Sequence, residues 1–256
     1  MPNEKDRSYI PYLLINEHLF MSLARDFGFS VPYNGIIKHD SDYHYIIKRF
    51  DRHGELKIDH HEILTLMNKN SDQKYKVSMR EVLETAKMYI SKEQLVELFR
   101  FIIFSAVIGH GDLHAKNLSL IYSSNKLDER AMQLSPFYDI STTKIYKDTK
   151  KNDVGLKIGN RTSKIKKTDL LQLALSIDID QNLANNLIEQ TSKQFIDTFQ
   201  TYIEKLPDSI KALPYHTSKY GGQKPFEAVL KKYYKNRVED LYNNLLEKFN
   251  NHSIWE

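Results

Sequence analysis

An acid and an amide five residues apart, Asp112 and Asn117, stand in the string His110-Gly111-Asp112-Leu113-His114-Ala115-Lys116-Asn117. Those residue types at that spacing suit phosphoryl transfer. A carboxylate can accept the proton of an attacking hydroxyl, and an amide oxygen can hold magnesium on nucleotide phosphates. A second carboxylate for the metal should follow a strand or hairpin. Asp139 occurs twenty-two residues beyond Asn117, in Ser135-Pro136-Phe137-Tyr138-Asp139-Ile140. Polar loops hold Asp and Asn for turn reasons alone. What lifts this pair above that reading is its apolar flanks, its two histidines and the second acid beyond a hairpin. Lys116 could neutralise charge on the transferred group, His114 could orient the loop or touch a phosphate, and His110 reads as structural. His44, His53, His60 and His61 match no zinc-binding spacing.

The loop needs a rigid platform. Residues 95–108 are apolar almost all round and read as a buried helix, with Ser91 as its N-cap and Gln94 completing a capping box. Beyond the loop, residues 118–122 and 131–134 form an expected hairpin around a polar tip at 123–130. Upstream, residues 13–27 read as a helix that carries Glu17 and stops at Gly28. Val31-Pro32 begins an extended segment, Asn34-Gly35 marks a bend, and residues 43–50 are a strand. Residues 48–54 turn polar and end at a glycine, as a linker between two lobes would. Helices are expected at 59–67 and 78–90, joined by a polar loop over 68–76. Residues 144–167 read as a flexible basic surface segment. Helices follow at 168–176, 181–206 and 225–249, with a turn-rich linker at 207–222.

At 256 residues, 41% of them hydrophobic and 27% charged, the chain can build a real core as one large domain or two fused lobes. A net charge of +4 could help bind an anionic nucleotide but is no nucleic-acid footprint, so no direct nucleic-acid binding is expected. With no cysteine there is no disulfide, zinc–thiolate site or cysteine nucleophile, which fits a reducing compartment. No apolar run reaches the ~18–20 residues of a membrane span. The first seven residues are polar and mixed in charge, so the expected location is cytoplasmic, with no membrane partner.

The string His-Gly-Asp-Leu-His-x-x-Asn is similar to the loop of aminoglycoside and choline phosphotransferases. Three further stretches resemble HipA-like serine/threonine kinases of toxin–antitoxin modules: Asn16 to Ala24 leading to Gly28 and Val31-Pro32, Ile47 to Arg52, and Leu134 to Ile140. With Asp112-x-His114-x-Lys116-Asn117-Leu118-Ser119 they form that family's ordered motif set over about residues 9–175. The resemblance implies a two-lobed, protein-kinase-like α+β fold, with a truncated N-lobe at 1–50 and a mostly helical C-lobe at 51–256. It implies ATP and Mg2+ as cofactors. Asp112 would be the catalytic base, with Asn117 and Asp139 on the metal. The backbone of Lys48 and Phe50 would meet the adenine and Asp51 the ribose. His60, His114 and Tyr138 would lie beside the nucleotide. Known members phosphorylate proteins, several of them aminoacyl-tRNA synthetases, and are restrained by a HipB-like DNA-binding antitoxin.

One departure from the family pattern bears on activity. Members carry a longer N-terminal region with a phosphate-covering loop and a strand lysine that pairs with the nucleotide phosphates. Here Met1 stands where that lysine would precede a proline, and Lys5 is the nearest substitute. In three-component modules this part of the N-lobe is a separate small protein, so a HipS-like partner is expected. The reading is therefore an ATP-dependent serine/threonine protein kinase. Its rivals are a pseudokinase used for partner binding and a small-molecule phosphotransferase.

Overall fold

The computed structural model describes residues 12–40, 42–122, 132–146, 152–216 and 223–246. The positions at Met1 and Lys5 and the hairpin tip at 123–130 lie outside the described residues. Helix α1 (Leu13–Asp26) leads into an antiparallel pair, β1 (Asn34–His39) and β2 (Asp42–Ile47), and then a second, very short one, β3 (Arg52–His53) and β4 (Leu56–Lys57). A three-stranded antiparallel sheet follows in the order β5 (His60–Glu62), β6 (Ser119–Tyr122), β7 (Met132–Leu134). Between β5 and β6 lie α2 (Ile63–Leu66), α3 (Met79–Lys87) and α4 (Lys92–Ile108). The rest is α5 (Lys167–Ser176), α6 (Gln181–Lys205), α7 (Asp208–Lys211), a small hairpin of β8 (Pro214–His216) and β9 (Gln223–Pro225), and α8 (Phe226–Asn244). This is a mixed α+β fold in which helix dominates. No helix among the described residues is long and apolar enough to cross a membrane.

Helix α4 is the centre of the core. Its stretch from Leu98 to Ile108 has Phe99, Phe101, Ile102, Ile103, Phe104, Val107 and Ile108 essentially out of water. Ser91 caps it by accepting from the Gln94 N–H, but the Gln94 side chain does not return the bond, so half of the expected capping box forms. Gly109 ends the helix at φ +68°, a left-handed backbone that glycine adopts without steric cost. Helix α1 joins the same core: Phe20 stacks on Phe199 of α6 and meets Tyr233 of α8 edge-on.

The last carbonyls of a helix have no partner within it. Those of α4 are met from elsewhere in the chain. Arg237 of α8 donates to the Ala106 and Val107 carbonyls at 2.8 and 2.9 Å. Ile108 O accepts from the Tyr233 hydroxyl at 2.8 Å and from Thr142 Oγ1 at 2.7 Å. Arg237 also pairs with Asp153 at 3.0 Å, and Lys144 reaches the same oxygen at 2.7 Å. Burial alone would raise the Asp153 carboxyl, but the Arg237 and Lys144 cations outweigh it and hold it below the ordinary carboxylate range.

Several expectations are corrected. Residues 59–67 are not one helix, because His60 to Glu62 pair with β6 and leave a single helical turn behind them. Asn34 and Gly35 lie inside β1, and the bend falls at Asp40, with φ +52°. The strand expected at 43–50 stops at Ile47. The described part of 144–167 is no loose surface strip. Val154, Leu156, Ile158 and Ile165 are buried, and His110 bridges to Val154 as a parallel strand pair. Lys157, Arg161, Lys164 and Lys166 are interleaved with these aliphatics and face outward, while Lys144 turns inward to Asp153. A Cβ at Gly155 would overlap the Leu113 carbonyl, which shows how closely this segment backs the loop. Residues 207–216 are also more ordered than a linker, holding α7 and β8.

Replacing Arg237 with Met keeps the bulk but strands two helix-end carbonyls and removes one of the cations on Asp153. The expected loss of stability is about 3–5 kcal/mol, as for a buried pair broken on one side. A urea midpoint matching the wild type would contradict that role.

Candidate active site

The loop at 110–117 starts where α4 stops. His110 N–H donates to Ser105 O at 2.9 Å and Leu113 N–H to His110 O at 3.0 Å, so the chain turns sharply and buries Leu113 and Ala115. The Asp112 carboxylate is left exposed, and its Oδ1 accepts a hydrogen bond from the Tyr75 hydroxyl. His110 itself is fully enclosed, and burial pushes its pKa down to about 4, so it is a neutral ring in the floor of the site.

The hairpin of β6 and β7 joins the other two residues of the set. Ser135 N–H donates to Ser119 O at 3.0 Å, and the two serine hydroxyls bond at 2.7 Å. This lock lies two residues beyond Asn117 and four before Asp139. Across it the Asn117 amide nitrogen donates to Asp139 Oδ2 at 2.6 Å, while Asn117 Oδ1 accepts from the His114 backbone N–H at 3.0 Å. Asp139 holds φ +58°, a left-handed conformation that is uncommon outside glycine and recurs at functional positions. Its side chain is open to solvent at the mouth of the site. Crowding by the surrounding protein nevertheless raises its pKa, helped by the Asp112 charge nearby.

A third carboxylate enters from α1. Glu17 is half-buried, and its pKa is raised to about 7, first by burial and then by Asp139. The nearby Tyr45 hydroxyl on β2 offsets part of that rise, without reaching hydrogen-bond geometry among the described residues. No cation among the described residues pairs with Glu17. Glu17 thus feels Asp139, and Asp139 feels Asp112, a run of uncompensated acids whose chemistry fits a divalent cation. Among the described residues no three His, Cys, Asp or Glu side chains form a self-contained metal cage. That is compatible with magnesium, which takes one or two protein ligands and completes its shell with phosphates and water. Asn117 Oδ1 keeps a second lone pair, and Asp139 keeps Oδ1, so both could reach such an ion.

The remaining expected site residues fall into two groups. Phe50, His60 and Tyr138 form an aromatic cluster. Phe50 and Tyr138 stack at 5.6 Å between ring centres, and His60 stands edge-on to both at 5.3 and 6.1 Å. Tyr138 is fixed by donating to Lys116 O at 2.9 Å, and the Lys48 N–H by Tyr33 O at 2.8 Å. The other group is engaged elsewhere. The Lys116 ammonium points to Ser71 at 3.3 Å and Glu62 at 3.8 Å. Asp51 is gripped by Arg49 and Arg52, and the Arg49 hydrogen bonds take its pKa down to about 2. His114 is buried; burial and then Lys74 lower its pKa, and its Nε2 faces the Lys74 ammonium at 3.0 Å. An ammonium only donates, so Nε2 accepts and Nδ1 carries the proton.

Sequence reading missed Lys74, Tyr75 and Tyr45 and gave Glu17 no role. Their signal was weak: Lys74 and Tyr75 sit in a stretch that reads as a solvated loop. Only the fold brings them to residue 112.

The raised Glu17 carboxyl has a consequence for stability. A group that binds its proton more tightly when folded contributes fully below its unfolded value of 4.5, and that contribution is lost as pH rises through about 7. Glu17→Gln stays neutral at every pH. In metal-free and nucleotide-free protein it should melt with the wild type near pH 4 and roughly 2–5 °C higher at pH 8. A melting difference independent of pH would contradict this electrostatic picture.

Residues 2–199 match the family described as HipA-like C-terminal domain. A Sinorhizobium fredii protein named "Putative kinase Y4dM" is 29% identical over 212 residues, 77% of this chain and 50% of that protein. A Haemophilus influenzae protein named "Putative kinase" is 30% identical over 156 residues, 53% of this chain and 43% of its own length. The chain spans about half the length of these relatives. Among solved structures, a chain of the Shewanella oneidensis MR-1 toxin–antitoxin complex of HipA, HipB and operator DNA shares the fold. Its TM-score is 0.75 at 18% identity, covering 93% of this chain and 57% of that one. The Helicobacter pylori proinflammatory kinase CtkA shares it with a TM-score of 0.58 at 12% identity, covering 92% and 81%. With most of its length matched, this chain belongs to the HipA-like C-terminal domain family, and the sequence relatives that it matches are named as kinases.

Proposed function

We propose that this chain is the catalytic part of an ATP-dependent serine/threonine protein kinase. The observation that supports it most is the joining of Asn117 to Asp139 at 2.6 Å, beside an exposed Asp112 whose charge Asp139 feels. In this reading Asp112 accepts the proton of the attacking hydroxyl, and Asn117 and Asp139 hold magnesium against the phosphates. When bound, the metal would neutralise charge on the transferred phosphoryl group. The carbonyl of Lys48 and the backbone of Phe50 meet the adenine, with the rings of Phe50, His60 and Tyr138 around it. Asp51 turns from its arginines to the ribose. His114 fixes the loop next to the nucleotide, and Lys116 swings from Glu62 to the transferred group. The small lobe ends at residue 50 and the helical lobe takes up 51–256.

Glu17 supports a second element of the reading. In protein kinases a helix glutamate pairs with the lysine that grips the nucleotide phosphates. Glu17 lies on a helix beside Asp139 with no cation among the described residues. We assign that lysine to sequence supplied from outside the described residues, on a small HipS-like protein. By family, the protein would be a cytoplasmic toxin acting on an aminoacyl-tRNA synthetase or another translation protein. A HipB-like antitoxin would restrain it, as the Shewanella complex pairs HipA with HipB. A Glu17 that no cation among the described residues meets equally favours a pseudokinase until the lysine is supplied.

The test is transfer of labelled γ-phosphate from Mg-ATP into lysate protein or an aminoglycoside panel, with and without the products of neighbouring genes. Asp112→Ala should cut protein phosphorylation by about 10²–10⁴-fold and relieve any growth inhibition. Undiminished transfer in that variant would show the chemistry to be misassigned. Tight Mg-ATP binding without transfer under any condition would favour the pseudokinase.

A further inference from the structure

The Asp112 carboxylate is exposed on a loop, and among the described residues its hydrogen-bond partner is the Tyr75 hydroxyl. Surface carboxylates sample several rotamers when nothing holds them. A general base must instead lie within about 2.6–3.2 Å of the proton that it removes. A device that fixes its carboxylate would therefore contribute directly to rate.

The segment that carries Tyr75 is built to hold a position. Lys69 N–H donates to Leu64 O at 3.1 Å. Gln73 N–H then donates to Asn70 O and Asn70 N–H to Gln73 Oε1, both at 2.9 Å, closing the 3₁₀ turn Ser71–Gln73. Lys76 N–H donates to Gln73 O at 2.8 Å, and Ser78 caps α3 immediately afterwards. The same segment grips the loop at three other places. Lys74 donates to His114 Nε2 at 3.0 Å, Lys74 O accepts from Ala115 N–H at 3.4 Å, and Ser71 Oγ accepts from Lys116 at 3.3 Å. The Tyr75 ring also stands edge-on to His114, 5.1 Å between centres.

Resting on the kinase reading of Asp112, we propose that Tyr75 is a positioning residue for the base. Its hydroxyl occupies Oδ1 of Asp112 and leaves Oδ2 free to take the acceptor's proton, while Lys74 anchors the segment to His114. Burial and the Asp112 charge raise the Tyr75 hydroxyl well above its ordinary pKa, so it remains a donor. The opposite possibility is that Tyr75 stands where the acceptor hydroxyl belongs and obstructs it. The two differ in sign. Removing a positioning bond slows turnover, and removing an obstruction speeds it.

Tyr75→Phe keeps the ring on His114 and deletes only the hydroxyl. With Mg-ATP and phosphatase-treated lysate protein as the acceptor pool, kcat should fall about tenfold, the scale of one hydrogen bond to a charged group. KM for ATP should stay within about twofold, and the melting temperature within a few degrees. That split separates positioning from a merely structural loss, which would lower the melting temperature. Unchanged or increased kcat overturns the proposal. A second measurement stands apart from activity. Three-bond NMR couplings at the Asp112 side chain should report one χ1 rotamer in the wild type and averaging in Tyr75→Phe. Identical couplings in both overturn the proposal even if the wild type transfers no phosphate, an outcome that would count separately against the kinase reading.

Discussion

Like charges brought close together are the constraint under which this structure is built. Asp112, Asp139 and Glu17 come from a loop, a post-hairpin segment and a helix, and each feels or is felt by Asp139. At an effective dielectric of about 20, two unit charges ~5 Å apart repel by roughly 3 kcal/mol. Left alone, such side chains would swing apart into water. Instead Asn117 is locked to Asp139 and Tyr75 to Asp112, with the Lys74 charge as a partial counterweight. The site is organised around charge that the described residues do not neutralise, which is what the proposed metal and phosphates would meet.

The scaffold explains how the acids can be held. A helix that is apolar all round fixes its own axis by packing, but its C-terminal carbonyls are left wanting donors. Arg237, Tyr233 and Thr142 supply them from segments remote in sequence. The turn into residues 110–117 is thereby tied to α8 and to the segment just after Asp139. The floor beneath the loop is neutral His110 and the aliphatic side chains of 154–158, so the loop has little freedom to sink or slide. Precision at Asp112 thus depends on an ion pair and helix-end bonds remote from it in sequence.

Local chemistry was legible where a residue's role is set by its neighbours in sequence. The α4 platform, its Ser91 cap and the β6–β7 hairpin follow from periodicity, capping and alternation, and with them the proximity of Asn117 and Asp139. Illegible were features decided by distant partners. Residues 60–62 become a strand because β6 offers an edge, overriding a pattern that reads as helix. The 152–165 stretch reads as basic and loose because its run of alternating buried aliphatics, Val154, Leu156 and Ile158, is short and set among glycines and charged residues, and only the loop that it backs explains their burial. Tyr75 and Lys74 are ordinary loop residues until α2 and α3 fold them over His114. Lys116 is placed by the fold against Glu62, a partner remote in sequence, whereas the arginines on Asp51 are its own chain neighbours.

The most direct measurement is a crystal structure of the chain with magnesium and a non-hydrolysable ATP analogue, prepared with its small N-lobe partner if one exists. The account predicts one magnesium about 2.1 Å from Asn117 Oδ1 and an Asp139 oxygen, with the terminal phosphate facing Asp112. A nucleotide bound elsewhere, or a metal touching neither side chain, would contradict it.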